Sequence, residues 1–292
     1  AATYTVGICQ LVQHEALDAA TQGFIDALNE ALPGQVKFEE KNASGDSNSC
    51  ATIVNGFVSE GVDLIMANAT AALQAAASAT SDIPVLGTSI TAYGVALDID
   101  DFSGTVGGNV SGTSDLADLS KQADMITEWF PETQKVGLLF CSAEPNSRYQ
   151  IEEIAKHLAA KGIETQEFAF TDTNDVASVT QAAADYADVV YVPTDNTAAS
   201  NAEAIANILV PAGVPAITGE EGICKGCGVA TLSISYYDLG MTTGKMAAKI
   251  LTGEADISTM PIEFTTATPK YNASMCETLG ITPREGYTAI AE

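Results

Sequence analysis

The chain has 292 residues, 46% hydrophobic and 17% charged; this composition excludes intrinsic disorder, and the length suffices for one large or two ordinary domains. Acidic residues outnumber basic ones 38 to 12, for a net charge of −26, and so acidic a surface argues against nucleic acid or anionic lipid as a partner. No apolar run reaches the roughly 18 residues that a membrane-spanning helix requires.

In chain order, Thr5-Val6-Gly7-Ile8-Cys9-Gln10 is the first apolar, β-prone segment, and a helical pattern follows over residues 16–32. Val36-Lys37-Phe38-Glu39-Glu40 alternates as a strand does. The polar Asn42-Ala43-Ser44-Gly45-Asp46 after it has the composition of a helix N-cap. Residues 63–72 (DLIMANATAA) run from Asp63 through four apolar residues into a small polar cluster, and residues 83–88 form a short closing strand.

The same order returns in the second half. Lys135-Val136-Gly137-Leu138-Leu139-Phe140 precedes a helical stretch over 147–161, then strand-like Gln166-Glu167-Phe168-Ala169-Phe170 and the polar residues 171–175. Residues 188–199 (DVVYVPTDNTAA) repeat the phrase of 63–72, and 214–219 is the closing strand. Beyond the repeat, 229–235 reads as a further strand, 236–251 as an amphipathic helix, 261–266 as one more strand and 272–279 as a short helix.

Two successive β-α-β-α-β-α-β sets predict an α/β protein of two doubly wound, parallel-sheet lobes. Runs such as 64–67 and 189–192 suit strands buried on both faces. Crossings between lobes are expected near 109–113, Tyr236 and Pro261, giving lobe 1 as 1–112 with 236–260 and lobe 2 as 113–235 with 261–292. Several crossings make a hinge that bends without letting the lobes drift apart.

In open α/β sheets, ligands sit beyond the carboxyl ends of the strands. The polar clusters lie there. On lobe 1 they are Gln10, Asn68-Ala69-Thr70, and Thr88 with Ser89; on lobe 2 they are the run from Ser142 through Asn146 to Ser147, then Thr194-Asp195-Asn196-Thr197, then Gly219-Glu220-Glu221. Such residues before a helix are ordinary N-caps, and the backbone N–H groups there can also hold a carboxylate. Their origin in both lobes, facing one cleft, favours a ligand site.

Of the six cysteines, Cys224 and Cys227 alone have a spacing open to metal, disulfide or plain structural use; with His14 and His157 the only histidines, zinc lacks its usual further ligands. No G-x-G-x-x-G follows the first strand, the P-loop sequence is absent, and neither histidine has an evident nucleophile beside it. An enzyme is not expected, nor a metal or cofactor.

Taken together these residues resemble the extracytoplasmic solute-binding proteins of bacterial ABC transporters, of type I periplasmic-binding-protein architecture. The narrower likeness is to the family that includes tryptophan- and other aromatic-amino-acid-binding lipoproteins. It is carried by Val6-Gly7-Ile8-Cys9-Gln10 with His14-Glu15-Ala16-Leu17-Asp18, by residues 107–115 (GGNVSGTSD), by Pro193-Thr194-Asp195-Asn196-Thr197, by Gly219-Glu220-Glu221-Gly222 and by Tyr236-Tyr237-Asp238-Leu239-Gly240. The Cys224–Cys227 pair, Cys9 and Cys50 depart from it.

The resemblance implies an export signal and, in many members, a lipidated cysteine ahead of residue 1, a periplasmic or cell-surface location, and an ABC permease and ATPase as partners; a monomer is expected. It implies lobe closure on a small-molecule ligand, an amino acid of possibly aromatic type. For such a ligand the carboxylate would take donors from Thr88 and Ser89, or from Asn68 and Thr70. Asp195 is the first choice of acceptor for the ammonium and Glu220 the second, with Gln10 and Asn146 bridging or orienting. Tyr93, Tyr149 or Tyr236 would supply a ring. The alternatives are a sugar, nucleoside or other solute as ligand, and a chemoreceptor-coupled sensor.

Overall fold

A computed structural model describes residues 3–292. The elements run β1 (Tyr4–Gln10), α1 (Glu15–Ala31), β2 (Val36–Asn42), α2 (Ser47–Glu60), β3 (Leu64–Asn68), α3 (Thr70–Ala79), β4 (Val85–Ile90), α4 (Tyr93–Ala96) and β5 (Val110–Ser114). They continue with α5 (Leu119–Trp129), β6 (Lys135–Cys141), α6 (Pro145–Ala160), β7 (Glu164–Phe170), α7 (Val176–Tyr186), β8 (Val189–Val192), α8 (Asn196–Ser200), α9 (Ala202–Ala212), β9 (Ala216–Thr218), α10 (Glu221–Cys227) and β10 (Ala230–Ser233). The last are α11 (Tyr236–Leu251), β11 (Glu263–Phe264), β12 (Thr268–Tyr271), α12 (Ala273–Leu279) and β13 (Thr288–Ala289).

The chain forms two compact units, one from the segment up to Leu116 with Ser235–Thr265, the other from Ala117–Ile234 with Thr266–Glu292. These boundaries stand beside the 112/113, 235/236 and 260/261 read from sequence. The first lies later because β5 carries the sheet to Ser114, and the last because Glu263 and Phe264 pair in parallel with Thr113 and Ser114.

In the first unit every strand is parallel, in the order β2-β1-β3-β4-β5-β11. Alternation along the strands covers both faces. Val6, Ile8, Leu64, Met66 and Leu86 pack with Phe24 and Leu28 of α1 and Met246 of α11. Cys9, Ile65, Ala67 and Val85 point the other way, onto Val54 and Phe57 of α2 and Leu73 of α3. Asp46 caps α2 by accepting from the Asn48 backbone at 3.0 Å, and Gly61 closes it in the left-handed region at φ 69°.

Helices α1 and α11 touch backbone to backbone. A Cβ on Gly240 would meet the carbonyl oxygen of Ala20, and one on Gly23 the carbonyl oxygen of Tyr237. Gly244, one turn on, lies against Phe24 and Ala27. This close approach lowers α11 onto the sheet, where Thr243 Oγ1 comes within 3.1 Å of Thr88 Oγ1 and 2.9 Å of Thr113 Oγ1.

The second unit repeats the plan. Its sheet runs β7-β6-β8-β9-β10-β12-β13, with the first five strands ordered as in the first unit. Only β10 and β12 pair antiparallel. Leu139, Cys141, Val190 and Val192 pack on α7 and α9 residues such as Ala183, Ile205 and Leu209. Trp129 at the end of α5 is buried against the Tyr287 ring, with centroids 5.0 Å apart at 82°. Arg284 donates to the carbonyl of Trp129 at 2.9 Å and fastens the C-terminal segment there.

Gly240→Ala should lower the stability of the protein by about 1–3 kcal/mol, because the methyl has only backbone to displace. Gly56→Ala, inside α2 with open space around its Cβ, should instead raise it by about 0.5–1 kcal/mol. Denaturant unfolding of the two variants beside the parent checks both signs.

Candidate functional site

The strand order reverses at β1/β3 in the first unit and at β6/β8 in the second, and doubly wound sheets bind ligands beyond the strand tips at such points. In the first unit, Gln10 ends β1 beside Asn68, its register partner at the end of β3. Gln10 Nε2 donates to Asp18 Oδ1 at 2.7 Å and to the Val12 carbonyl at 2.9 Å, and Thr21 Oγ1 donates to Gln10 Oε1 at 2.7 Å. Asn68 Nδ2 donates to the Leu17 carbonyl at 2.8 Å and to Thr21 Oγ1 at 3.0 Å. The amide face toward α1 is thus fully used, whereas Asn68 Oδ1 is buried without a hydrogen-bond partner.

The residue after Asn68 is strained. Ala69 stands at φ 101°, ψ 161°, a region that is nearly confined to glycine, and starts α3 with no side-chain cap. Thr70 follows as the first residue of α3 and is buried. On the neighbouring strand Thr88 is fully buried, its hydroxyl taken up by Thr113 and Thr243. Ser89, one residue on, has φ 58°, and its Oγ is buried without a partner. Two non-glycine residues in the left-handed half of φ and two unpaired buried oxygens therefore meet at adjacent strand ends.

Tyr236 is also placed in this unit. Its hydroxyl donates to Asp115 Oδ2 at 2.7 Å, while Thr91 Oγ1 donates to Asp115 Oδ1 at 3.0 Å. Burial pushes the Asp115 carboxyl above its ordinary range, and these two donors pull it back. Sequence reasoning included Asp115 only within the motif of 107–115 and passed over Thr91; a Thr-Ser-Asp run closing a buried strand was the signal. Tyr93 lies in the core, donating to the Thr113 carbonyl at 2.8 Å across Gly87 and Gly112. Tyr149 is half-buried on α6.

In the second unit the acidic residues are anchors. Asp195 Oδ2 accepts from the Cys141 backbone and from Ser147 Oγ, both at 2.7 Å, and Oδ1 accepts from the Ala198 backbone at 2.8 Å as the cap of α8. One carboxylate thereby ties β6, α6 and α8 together. Burial, then the charge of Glu144, pushes its pKa well up. Glu144, which the sequence reading held only within the run 142–147 and did not single out, occupies the same helix start. Its Oε1 accepts from the Asn196 backbone at 2.9 Å and Nδ2 at 2.8 Å; its Oε2 accepts from the Thr197 backbone and hydroxyl, each at 3.0 Å. The signal for Glu144 was its place directly before Pro145, the first residue of α6.

Asn146 is buried and reaches Glu144 Oε1 and the Thr194 carbonyl at 3.4 Å each. Ser142 is exposed, its hydroxyl 3.3 Å from the Phe170 carbonyl. Glu220 caps α10 by accepting from the Ile223 backbone. The predicted residues of this unit thus fall into a group at the β6/β8 tips, with Glu220 at the next strand end. Gln150, which the sequence reading missed, locks that group by donating to the Asn146 and Thr194 carbonyls and accepting from the Thr194 backbone.

Cys224 and Cys227 are both free thiols in α10. Burial pushes Cys227 up to about 12 and Cys224 well above the usual thiol range. Among the described residues, no group of three or more His, Cys, Asp or Glu is arranged to hold a metal ion, and no helix is long and apolar enough to cross a membrane.

Comparison with known proteins adds to this geometry. A tyrosine-binding protein of Clostridioides difficile is 32% identical over 256 residues, covering 86% of this chain and 73% of that one. An ABC domain from Streptococcus pneumonia, solved in complex with L-Trp, superposes with a TM-score of 0.93 at 31% identity, covering 99% of this chain and 100% of that one. A ligand-free, open substrate-binding protein with adhesive properties from Clostridium difficile gives a TM-score of 0.74 at 31% identity, with 98% and 99% covered. The family described as ABC transporter substrate binding protein matches residues 5–292, so with its repeated sheet order and its polar strand tips the chain belongs to that family.

Proposed function

We propose that this substrate-binding protein binds a free α-amino acid with an aromatic side chain, and that Asn68, Thr70 and Ser89 make the polar contacts in the first unit. The observation that carries the reading is the pair of buried, unpartnered oxygens, Asn68 Oδ1 and Ser89 Oγ, at strained strand ends. A buried polar atom without a partner costs about 1–3 kcal/mol, and strained backbone persists where function holds it. A primary ammonium supplies N–H donors for Asn68 Oδ1. A carboxylate supplies acceptors for the Ser89 hydroxyl and for the first-turn N–H groups of α3, which Ala69 leaves without a side-chain cap. The choice of an aromatic amino acid over a sugar or nucleoside is supported by the tyrosine-binding and L-Trp-bound relatives.

Gln10 and Thr88 take the role of positioning residues, since their polar atoms are already engaged. In the second unit Ser142, Asn146 and Asn196 are the proposed contacts, with Ser147, Asp195 and Glu220 holding the loops that carry them. Tyr236 orients Asp115. Family membership supports an extracytoplasmic location and a permease and ATPase as partners. We further read the protein as a monomer without catalytic activity, carried on a lipid-anchored precursor.

A thermal-shift panel of the twenty amino acids, common sugars and nucleosides tests the ligand class. L-tyrosine or L-tryptophan at 100 times its Kd should add about 2.7 kcal/mol of stability; stabilisation by a sugar or nucleoside alone would overturn the reading. Ser89→Gly removes both the hydroxyl and the strain. It should raise the stability of the empty protein by about 1 kcal/mol while weakening binding roughly tenfold by calorimetry. Ala69→Gly relieves strain without removing a polar atom, and should stabilise with affinity kept. Asp195→Asn should lower the empty protein's stability by about 1–3 kcal/mol, because an amide cannot accept from all three donors; an unchanged melting midpoint would release Asp195 from its bracing role.

A further inference from the structure

Opposite Thr113 of β5, strand β4 places two residues, Thr88 and Ser89: Gly87 pairs with Gly112, and pairing resumes at Ile90 with Ser114. Ser89 is the additional residue of this β-bulge, because Thr88 still pairs with Asn68 of β3 and its carbonyl accepts from the Ala69 backbone at 3.0 Å. The bulge accounts for a break in alternation. Val85 and Ile90 would point to opposite faces of a regular strand, yet both are buried in the one apolar cluster that contains Phe57 of α2 and Leu73 of α3. The inserted residue carries the left-handed φ of 58° and the buried hydroxyl.

Beyond the bulge, β4 is fastened again. The Asp115 backbone donates to the Ile90 carbonyl at 3.0 Å, and Ser114 Oγ donates to the Thr91 carbonyl at 3.1 Å. Thr91 Oγ1 donates to Asp115 Oδ1 at 3.0 Å, and the Tyr236 hydroxyl donates to Asp115 Oδ2 at 2.7 Å from 121 positions along the chain. Asp115 is 5% exposed. A carboxylate offers one oxygen to each of these two hydroxyls from separate segments. It ties the tip of β4 to the start of α11, close to where the chain leaves the first unit after Leu116 and re-enters it at Ser235. Ser89 therefore lies between two fixed points: Thr88, held by Thr113 and Thr243, and Thr91, held by Asp115.

We propose that Asp115 is a positioning residue for ligand binding, which holds the β4 bulge in place and so aims the Ser89 hydroxyl at the carboxylate of the amino acid. This role rests on the Ser89 contact proposed above. A non-glycine residue at positive φ persists only while its surroundings impose the conformation, so releasing Thr91 lets Ser89 relax and its hydroxyl lose direction.

Calorimetric titration with L-tyrosine and with L-tryptophan tests this role in Asp115→Ala and Thr91→Val, each made in the parent and in Ser89→Gly. In the parent each should weaken binding roughly tenfold. In Ser89→Gly no hydroxyl remains to be aimed, and the further loss should stay below about twofold. Asp115→Asn should recover binding to within about threefold of the parent, since a hydroxyl can accept from the new amide as well as donate to its oxygen. Losses that add in full to that of Ser89→Gly, or an Asn variant as weak as the Ala variant, would overturn the proposal. Unchanged affinity in Ser89→Gly alone would remove the contact and this role with it; weakened Ser89→Gly beside unchanged Asp115→Ala would remove the role and leave the contact. Hydrogen exchange of the ligand-free protein decides the positioning without any ligand. Asp115→Ala should speed exchange across residues 88–91 about tenfold while residues 64–68 keep their rates, and equal rates across 88–91 would overturn the proposal.

Discussion

A polar atom removed from water must find another partner, and this requirement organises both sets of strand tips. Seven polar side chains around the β6/β8 tips close into one network, in which the oxygens of Asp195 and Glu144 together receive the backbone of β6 and the start of α8. At the β1/β3 tips the same requirement is met for Gln10, Thr21 and one side of Asn68, and then stops. The other side of Asn68 and the hydroxyl of Ser89 are left facing a gap in the pattern. The two units share a sheet order but divide the work of their polar residues differently.

The electrostatics of the second unit follow from that division. Two carboxylates converge on the start of α8, and each ionised oxygen would be costly if it were buried alone. Backbone N–H groups of residues 196–198, two amide or hydroxyl side chains and Ser147 distribute the charge. Capping a helix of only five residues is thus not its main consequence. The anchors hold the ends of β6 and β8 at a fixed spacing, and that spacing positions Asn146 and Asn196.

Much of this was legible in the sequence because apolar periodicity is a local property. The doubled β-α-β order, the N-cap at Asp46 and the helix 236–251 depend on residues close together in the chain, and they appear where the pattern puts them. The strand read over 261–266 shrinks to Glu263–Phe264, since only those residues reach β5. What composition cannot encode is which polar residue ends with a partner. Asp195 and Asn68 look alike as strand-end residues, yet one has three donors and the other an empty acceptor. Positive φ at Ala69 and Ser89 was also invisible, because glycine is the residue that announces it. Gln150 was passed over, and Glu144 was not singled out within 142–147, because their partners at Thr194 and Asn196 lie more than forty positions away.

The strain at Ala69 and Ser89 and the two unpaired oxygens each carry a penalty of about 1–3 kcal/mol, which together rival the net stability of a typical domain. Such a concentration persists only where the surrounding structure imposes it. Here the imposing elements are the parallel register of β3 and β4, the close seat of α11 on α1 through Gly23, Gly240 and Gly244, and the three-threonine contact that pins Thr88. Next to the fixed Thr88, the Ser89 hydroxyl is buried without a partner, and Asn68 is held by α1 in an orientation that keeps Oδ1 without one. A molecule that supplies a donor to Asn68 and an acceptor to Ser89 removes the penalty on the oxygens without relaxing the backbone. On the reading proposed above, affinity would come in part from relief of an unfavourable feature already built into the empty protein, and the rigidity of the glycine-packed helices would serve binding at the strand tips.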